Sequence, residues 1–345
     1  MIILKLSEFN IILITFVVLF LLYICFVFIF ALIIDKKYFV KRITGNKYIK
    51  EMDYKYYKSL KQDNFSFVSN NIIINGNSYY YNTRDNKKIL IFSNGFNTIV
   101  ESYLPYISYF AKQGFIVYSY DYAGVGKSDG KKFKGMPQAI MDLECCIKQI
   151  KKDNPNTSIT LVGHSMGAYA SCNVLNLEEV DKVIAISPFN DIVDVVGDNI
   201  YKKLGKKIFL FPIIYRMILN FKFKKYSSYN TFNTLKYINK KVLLIHGEED
   251  KTVKADRFIN AMISNQNSFV QYLLLENKQH DPLLSFEAIN YNLFLKHQIS
   301  DLMLKYNRNI PSNELEILNK NINYELKYKL DGEILRIIEK FIKEV

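Results

Sequence analysis

Between Ile11 and Ile34 the chain carries no charge, is made largely of Ile, Leu, Val and Phe, and shows no polar face at helical spacing. A helix of this run is about 36 Å long at ~1.5 Å per residue, enough to cross a ~30 Å hydrocarbon layer with some tilt. Phe28 to Ile34 offers no small-x-small cleavage site, so an uncleaved single-pass anchor is expected over residues 1–34. Beyond it the period shortens. Phe65 to Val68 and Ile72 to Tyr81 predict an opening hairpin with Asn75-Gly76-Asn77 as its turn. Apolar strand runs at Lys88 to Ser93, Phe115 to Asp121, Ser158 to Gly163, Lys182 to Ser187, Lys241 to Gly247 and Val270 to Glu276 then alternate with helical stretches. That alternation argues for an α/β fold with a mostly parallel sheet covered by helices on both faces.

The rhythm breaks once, over residues 192–240. There Ile208 to Leu219 is apolar but only a dozen residues long and carries Pro212, too short to span a bilayer. It suits a helical lid over the sheet, with Lys-rich flanks at 202–207 and 222–225 turned to lipid headgroups. After residue 300 the chain is charge-balanced and helical, with Ile334, Ile338, Phe341 and Val345 at helical spacing, a packing or partner helix. The expected organisation is anchor 1–34, basic juxtamembrane segment 35–64, one α/β domain over 65–300 and a C-terminal helical extension over 301–345.

Charge sharpens this plan. The net +13 is concentrated: residues 35–62 hold nine Lys/Arg against three acids, and residues 192–240 hold ten against two. Two separate patches fit anionic lipid better than nucleic acid, each basic residue near such a surface contributing ~1 kcal/mol. Lys5 alone precedes the apolar run, whereas Lys36, Lys37, Lys41, Arg42, Lys47 and Lys50 follow it. Positive charge stays cytoplasmic, so the body is expected there. The four cysteines agree: Cys25 lies in the span and Cys145 and Cys146 are adjacent in a predicted helix, which leaves no disulfide framework.

The chemistry centres on Gly163-His164-Ser165-Met166-Gly167, where a buried strand turns sharply into a small-residue helix. A serine there stands out of a strained turn, and glycines on either side remove side chains that would collide with strand and helix. Serine needs a base, almost always histidine, oriented by a carboxylate. Of the four histidines, His164 sits inside the elbow, His246 ends an apolar strand and His297 lies in a helical run. His280 remains, in the loop Glu276 to Pro282 beyond the last strand, at the edge where parallel sheets place ligands. For the acid, Asp250 in Gly247-Glu248-Glu249-Asp250 is preferred, with Glu248 and Glu249 as solvated neighbours. Asp191 is held in reserve, or else caps the first lid helix. The oxyanion donors are expected to be the backbone N–H groups of Met166 and Phe96, with Asn97 as a side-chain contributor or a turn residue. The glycines of Asp121 to Gly130 lack P-loop spacing. No metal and no cofactor are expected.

Taken in order, Asn94-Gly95-Phe96, Asp121 to Gly130, Gly163 to Gly167, Ser187-Pro188, His246-Gly247-x-x-Asp250-x-x-Val253 and His280 resemble the α/β-hydrolase superfamily. The likeness is greatest to the branch holding monoacylglycerol lipases, lysophospholipases and serine aminopeptidase-like hydrolases, and covers roughly residues 65–300. It implies an α/β-hydrolase fold with Ser165 as nucleophile, His280 as base, Asp250 as acid and Phe96 and Met166 at the oxyanion. Two features depart from it: Asn94 stands where the family usually has histidine, and the lid is short and basic. A membrane-anchored esterase of lysophospholipid, monoacylglycerol or a related lipid is the leading expectation. A peptidase or amidase, a protein acyl-thioesterase and a non-catalytic tethered scaffold are its rivals.

Overall fold

The computed structural model describes residues 8–39, 41–81, 88–177 and 179–344; Lys5 and Val345 lie outside them. Helix α1 (Glu8–Phe39) runs on past Ile34, and Asn10–Phe39 is long and apolar enough to cross a membrane. Its second half is not bare. Val27, Ala31, Asp35 and Phe39, spaced by four, form a stripe buried against the rest of the chain.

Eight strands make one sheet: β1 (Lys61–Ser69), β2 (Ile72–Tyr80), β3 (Lys88–Ser93), β4 (Ile116–Tyr120), β5 (Ser158–His164), β6 (Val180–Ile186), β7 (Lys241–Gly247) and β8 (Val270–Leu275). Their order is β1-β2-β4-β3-β5-β6-β7-β8, antiparallel across β1, β2 and β4 and parallel from β4 onward. The first hairpin corrects the sequence reading. It turns at Asn70-Asn71, both left-handed with φ of 49° and 61°, the backbone that two-residue hairpin turns demand and Asn tolerates. Gly76 instead lies within β2 opposite Tyr120. A Cβ there would stand 2.3 Å from the Ser119 carbonyl oxygen, so this glycine serves a close approach of strands.

Alternation along the strands builds two cores. Leu90, Phe92, Val117, Val162, Ile184 and Leu243 face α2 (Leu104–Lys112) and the C-terminal α12 (Gly332–Lys343). Ile89, Ile91, Leu161, Val183 and Leu244 face α3 (Gln138–Asp153), α4 (Met166–Asn173) and α8 (Asp256–Ser264). Over that side lies the insert: α5 (Ile192–Leu204), α6 (Phe211–Phe223) and α7 (Thr231–Lys236). A smaller cluster under Ile49 joins α9 (Phe286–Lys305), α10 (Ser312–Lys320) and the segment leading into α11 (Tyr324–Lys327).

A boundary at residue 300 therefore stops short. Ile334, Ile338 and Phe341 of α12 are buried in the core of the sheet itself, and burying such side chains contributes about 1.5–3 kcal/mol each. The start moves too, since β1 opens at Lys61 within the segment read as juxtamembrane.

Candidate active site

Ser165 stands at the carboxyl end of β5 with φ 54° and ψ −111°, a left-handed, strained conformation for a side-chain-bearing residue. The glycines around it are dictated by contact. A Cβ on Gly167 would lie 1.9 Å from the Ser93 carbonyl oxygen, and one on Gly163 would lie 2.3 Å from Gly167. The turn thus closes against both its own helix and the end of β3.

The loops after β7 and β8 bring the partners to the same edge. Ser165 Oγ is 3.0 Å from His280 Nε2, and His280 Nδ1 is 2.7 Å from Asp250 Oδ2. Asp250 is buried, and its other oxygen accepts the N–H groups of Thr252 and Val253 at 2.7 and 2.9 Å. Burial pushes its carboxyl up, but the His280 hydrogen bond and charge and the Val253 N–H outweigh this and hold it below the usual aspartate range. Glu248 and Glu249 are exposed. Asp191 is elsewhere: it caps α5 through the Val193 N–H at 2.7 Å and pairs with Arg216 of α6.

The remaining histidines have structural partners or stand apart. His246 is buried against Phe258 with Nε2 3.0 Å from the Val253 carbonyl, shaping the loop that carries Asp250. His297 is exposed on α9. His164, set aside by elimination, has a larger part. Its Nδ1 is 2.8 Å from the Tyr103 hydroxyl, which accepts the Gly95 N–H at 3.0 Å, while its Nε2 is 2.8 Å from the His280 carbonyl. Burial lowers its pKa, so the ring is neutral. Tyr103 had no signal in the sequence, lying in an aromatic stretch like many others.

Met166 is the first residue of α4, where an N–H has no partner within the helix. Phe96 is half-buried beside it at the cavity wall. Asn97 is exposed and left-handed at φ 64°, which closes the turn. Asn94 is buried and donates to the Tyr120 carbonyl at 3.1 Å, a tie between β3 and β4. Asp121 accepts the Lys127 N–H of the following glycine-rich loop and the Val100 N–H of the segment before α2, tying the two together, its carboxyl pushed up to about 6 by burial.

Ser165 and His280 open onto an apolar cavity of about 270 Å³ walled by Tyr38, Phe39, Phe96, Met136, Val196 and Ile200. Two of these walls come from α1.

A serine on a strand-to-helix elbow, with a histidine and an aspartate in hydrogen-bond reach on the loops of later parallel strands, defines an architecture. The chain has the α/β-hydrolase fold. More narrowly, residues 84–232 match the family described as serine aminopeptidase, S33. Human protein ABHD12B is 26% identical over 177 residues, which cover 49% of this chain and 48% of that protein. The match thus spans about half the length of this curated relative. Among solved structures, the esterase Pf2001 of Pyrococcus furiosus is 20% identical, covers 77% of this chain and 98% of its own, and superposes with a TM-score of 0.56. Est1E of Butyrivibrio proteoclasticus, solved with ferulic acid bound, is 17% identical, covers 68% of this chain and 99% of its own, and gives a TM-score of 0.50. These likenesses agree on the fold.

Proposed function

We propose that this chain is a membrane-anchored serine hydrolase that cleaves acyl esters of single-chain lipids such as lysophospholipid or monoacylglycerol. The observation that carries the reading is the continuous Ser165, His280, Asp250 chain of hydrogen bonds at the floor of an apolar cavity. Ser165 Oγ attacks the carbonyl carbon as His280 Nε2 takes its proton. Asp250 holds the Nδ1 proton and offsets the charge of the imidazolium. The N–H groups of Met166 and Phe96 stabilise the oxyanion. His280 then protonates the leaving alcohol, and water, activated by the same base, releases the acid.

Two observations favour lipid esters over peptides with a free amino terminus. The cavity is at the small end of ligand sites, which run roughly 300–1,000 Å³, suiting one acyl chain. Among the described residues that line it there is no carboxylate to receive an ammonium group. The basic residues after α1 support a cytoplasmic body.

The test is labelling of the full-length protein in detergent by a fluorophosphonate probe. Wild type is expected to be modified and Ser165→Ala to be silent. Folded wild type that resists the probe would fit a tethered scaffold and end the hydrolase reading. A preference for aminoacyl amides over acyl esters in the same preparation would overturn the lipid assignment.

A further inference from the structure

The anchor helix does more than hold the protein at the bilayer. Val27, Ala31, Asp35 and Phe39 are buried, and Tyr23, Ile24, Phe30, Ile34 and Tyr38 are partly covered on the same side. The surface that covers them includes α6: the Phe30 and Phe211 rings meet edge to face with centroids 6.1 Å apart, and Asp35 pairs with Lys222 at 2.7 Å. Lys222, read from the sequence as facing headgroups, is thus a latch between anchor and lid. Just beyond the helix, Arg42 donates to the carbonyls of Gly126, Ser128 and Gly130 at 2.7, 3.0 and 2.7 Å. The end of α1 is tied to the body on both sides, with the Phe39 ring 5.4 Å from that of Phe96 above Ser165.

The outer face of α6 shows what surrounds this junction. Its inner residues Phe211, Ile214, Tyr215, Ile218, Leu219 and Phe223 are buried, yet Ile213, Met217 and Phe221 on the helix and Phe209 just before it are exposed at 62%, 63%, 91% and 75%. A helix with large apolar side chains on its outer face as well as its inner one belongs in a core or against lipid. This one lies directly beside a helix long enough to span a bilayer, which commits its occupant to lipid. The 30 residues from Asn10 to Phe39 amount to ~45 Å of helix against a ~30 Å hydrocarbon layer. The last turns therefore sit at the boundary between chains and headgroups, where lipid ester bonds lie. Asp35, costly in hydrocarbon, falls in that zone and has its cation.

We infer that α1 is a wall of the acyl pocket and that the lipid ester reaches Ser165 directly from the bilayer, through the junction of α1 with the lid helices α5 and α6. This rests on the hydrolase reading. Tyr38 and Phe39 then select the acyl chain, and the Asp35–Lys222 pair keeps the junction in register.

The test uses full-length protein in phosphatidylcholine vesicles and an alkyl fluorophosphonate with a photoreactive diazirine at its chain end. Once on Ser165 and irradiated, the probe is expected to cross-link the peptide holding Tyr38 and Phe39. In parallel, Phe39→Trp is expected to lower the ratio of kcat/KM for vesicle-borne lysophosphatidylcholine over soluble p-nitrophenyl butyrate about tenfold, since pocket fit at the level of one methylene is worth ~10-fold or more. Phe28→Trp, on the exposed side of α1, is expected to leave that ratio alone. Probe on Ser165 with cross-links only to other segments would overturn the inference while sparing the hydrolase reading. Wild type that takes up no probe would remove both.

Discussion

His164 reaches the backbone carbonyl of His280 through Nε2 at 2.8 Å, so the residue beside Ser165 braces the loop that carries His280. A carbonyl only accepts, which puts the proton of this neutral ring on Nε2 and leaves Nδ1 to accept from Tyr103. Tyr103 in turn accepts the Gly95 N–H. One chain of hydrogen bonds therefore links the Gly95 loop, the elbow and the His280 loop.

Breaking that chain is expected to lower kcat more than it changes KM. His164→Ala leaves the part-buried His280 carbonyl without this donor and frees the His280 loop, for which roughly tenfold or more in kcat is expected. Tyr103→Phe keeps the His164 brace and is expected to cost less. Steady-state kinetics on a soluble ester separates the two. Equal losses would mean that the bond to His280 does not position the base.

The two candidate acids are separated by paired substitutions. Asp250→Asn leaves His280 without a carboxylate and is expected to reduce kcat by about 10⁴. Asp191→Ala removes the cap of α5 and the partner of Arg216, with ~1 kcal/mol or more of stability lost from the cap alone. Its kcat is expected to stay within a few-fold. Thermal unfolding and kinetics on the two variants check this, and the reverse pattern would exchange their roles.

How much of this was legible follows from where the information sits. Strands β3 to β8 were readable because runs such as Leu161-Val162 are buried on both faces, and the loops at their ends carried Ser165, Asp250 and His280 in order. Gly76 misled because a glycine needed for a close approach looks like one needed for a turn. The docking of α1 was hidden by excess: when every side of a helix is apolar, no stripe marks the buried one. The apolar spacing of Ile334, Ile338 and Phe341 announced α12, but the surface it packs on and the role of Tyr103 were invisible for a related reason, since their partners are distant in sequence and periodicity reports only local faces.

His246 makes stability depend on pH. Burial lowers its pKa, as it does for His164. The folded state then refuses protons that the unfolded histidine, with pKa ≈ 6.5, accepts. Stability is accordingly full above about pH 6.5 and declines as pH falls from there toward the depressed folded value. Thermal unfolding in detergent from about pH 7.5 to about pH 5.5 is expected to show this decline, smaller in His246→Gln, which keeps a donor for the Val253 carbonyl. An undiminished decline in the variant would assign the effect to other groups.

The loop that carries His280 leans on the C-terminal helix, which makes α12 testable through the candidate active site. Lys278, buried in the loop that carries His280, donates to Asp331 at 2.8 Å and to the Leu284 carbonyl at 2.6 Å. Asp331 also caps α12 through the N–H groups of Glu333 and Ile334. Burial pushes the Asp331 carboxyl up, yet the hydrogen bond and charge of Lys278 bring it below its usual value. Its contribution is therefore present above the unfolded pKa of about 3.9 and is lost as pH falls through the lowered folded value. Asp331→Ala strips the cap and leaves the Lys278 ammonium buried without its carboxylate, so both Tm and kcat are expected to fall. Ile338→Ala, deep in the same core, is expected to cost about 2–5 kcal/mol with a smaller change in kcat for the folded fraction, because it leaves the Lys278–Asp331 pair in place. Equal kcat in the two variants, measured per site titrated by fluorophosphonate, would mean that α12 supports the sheet without positioning His280.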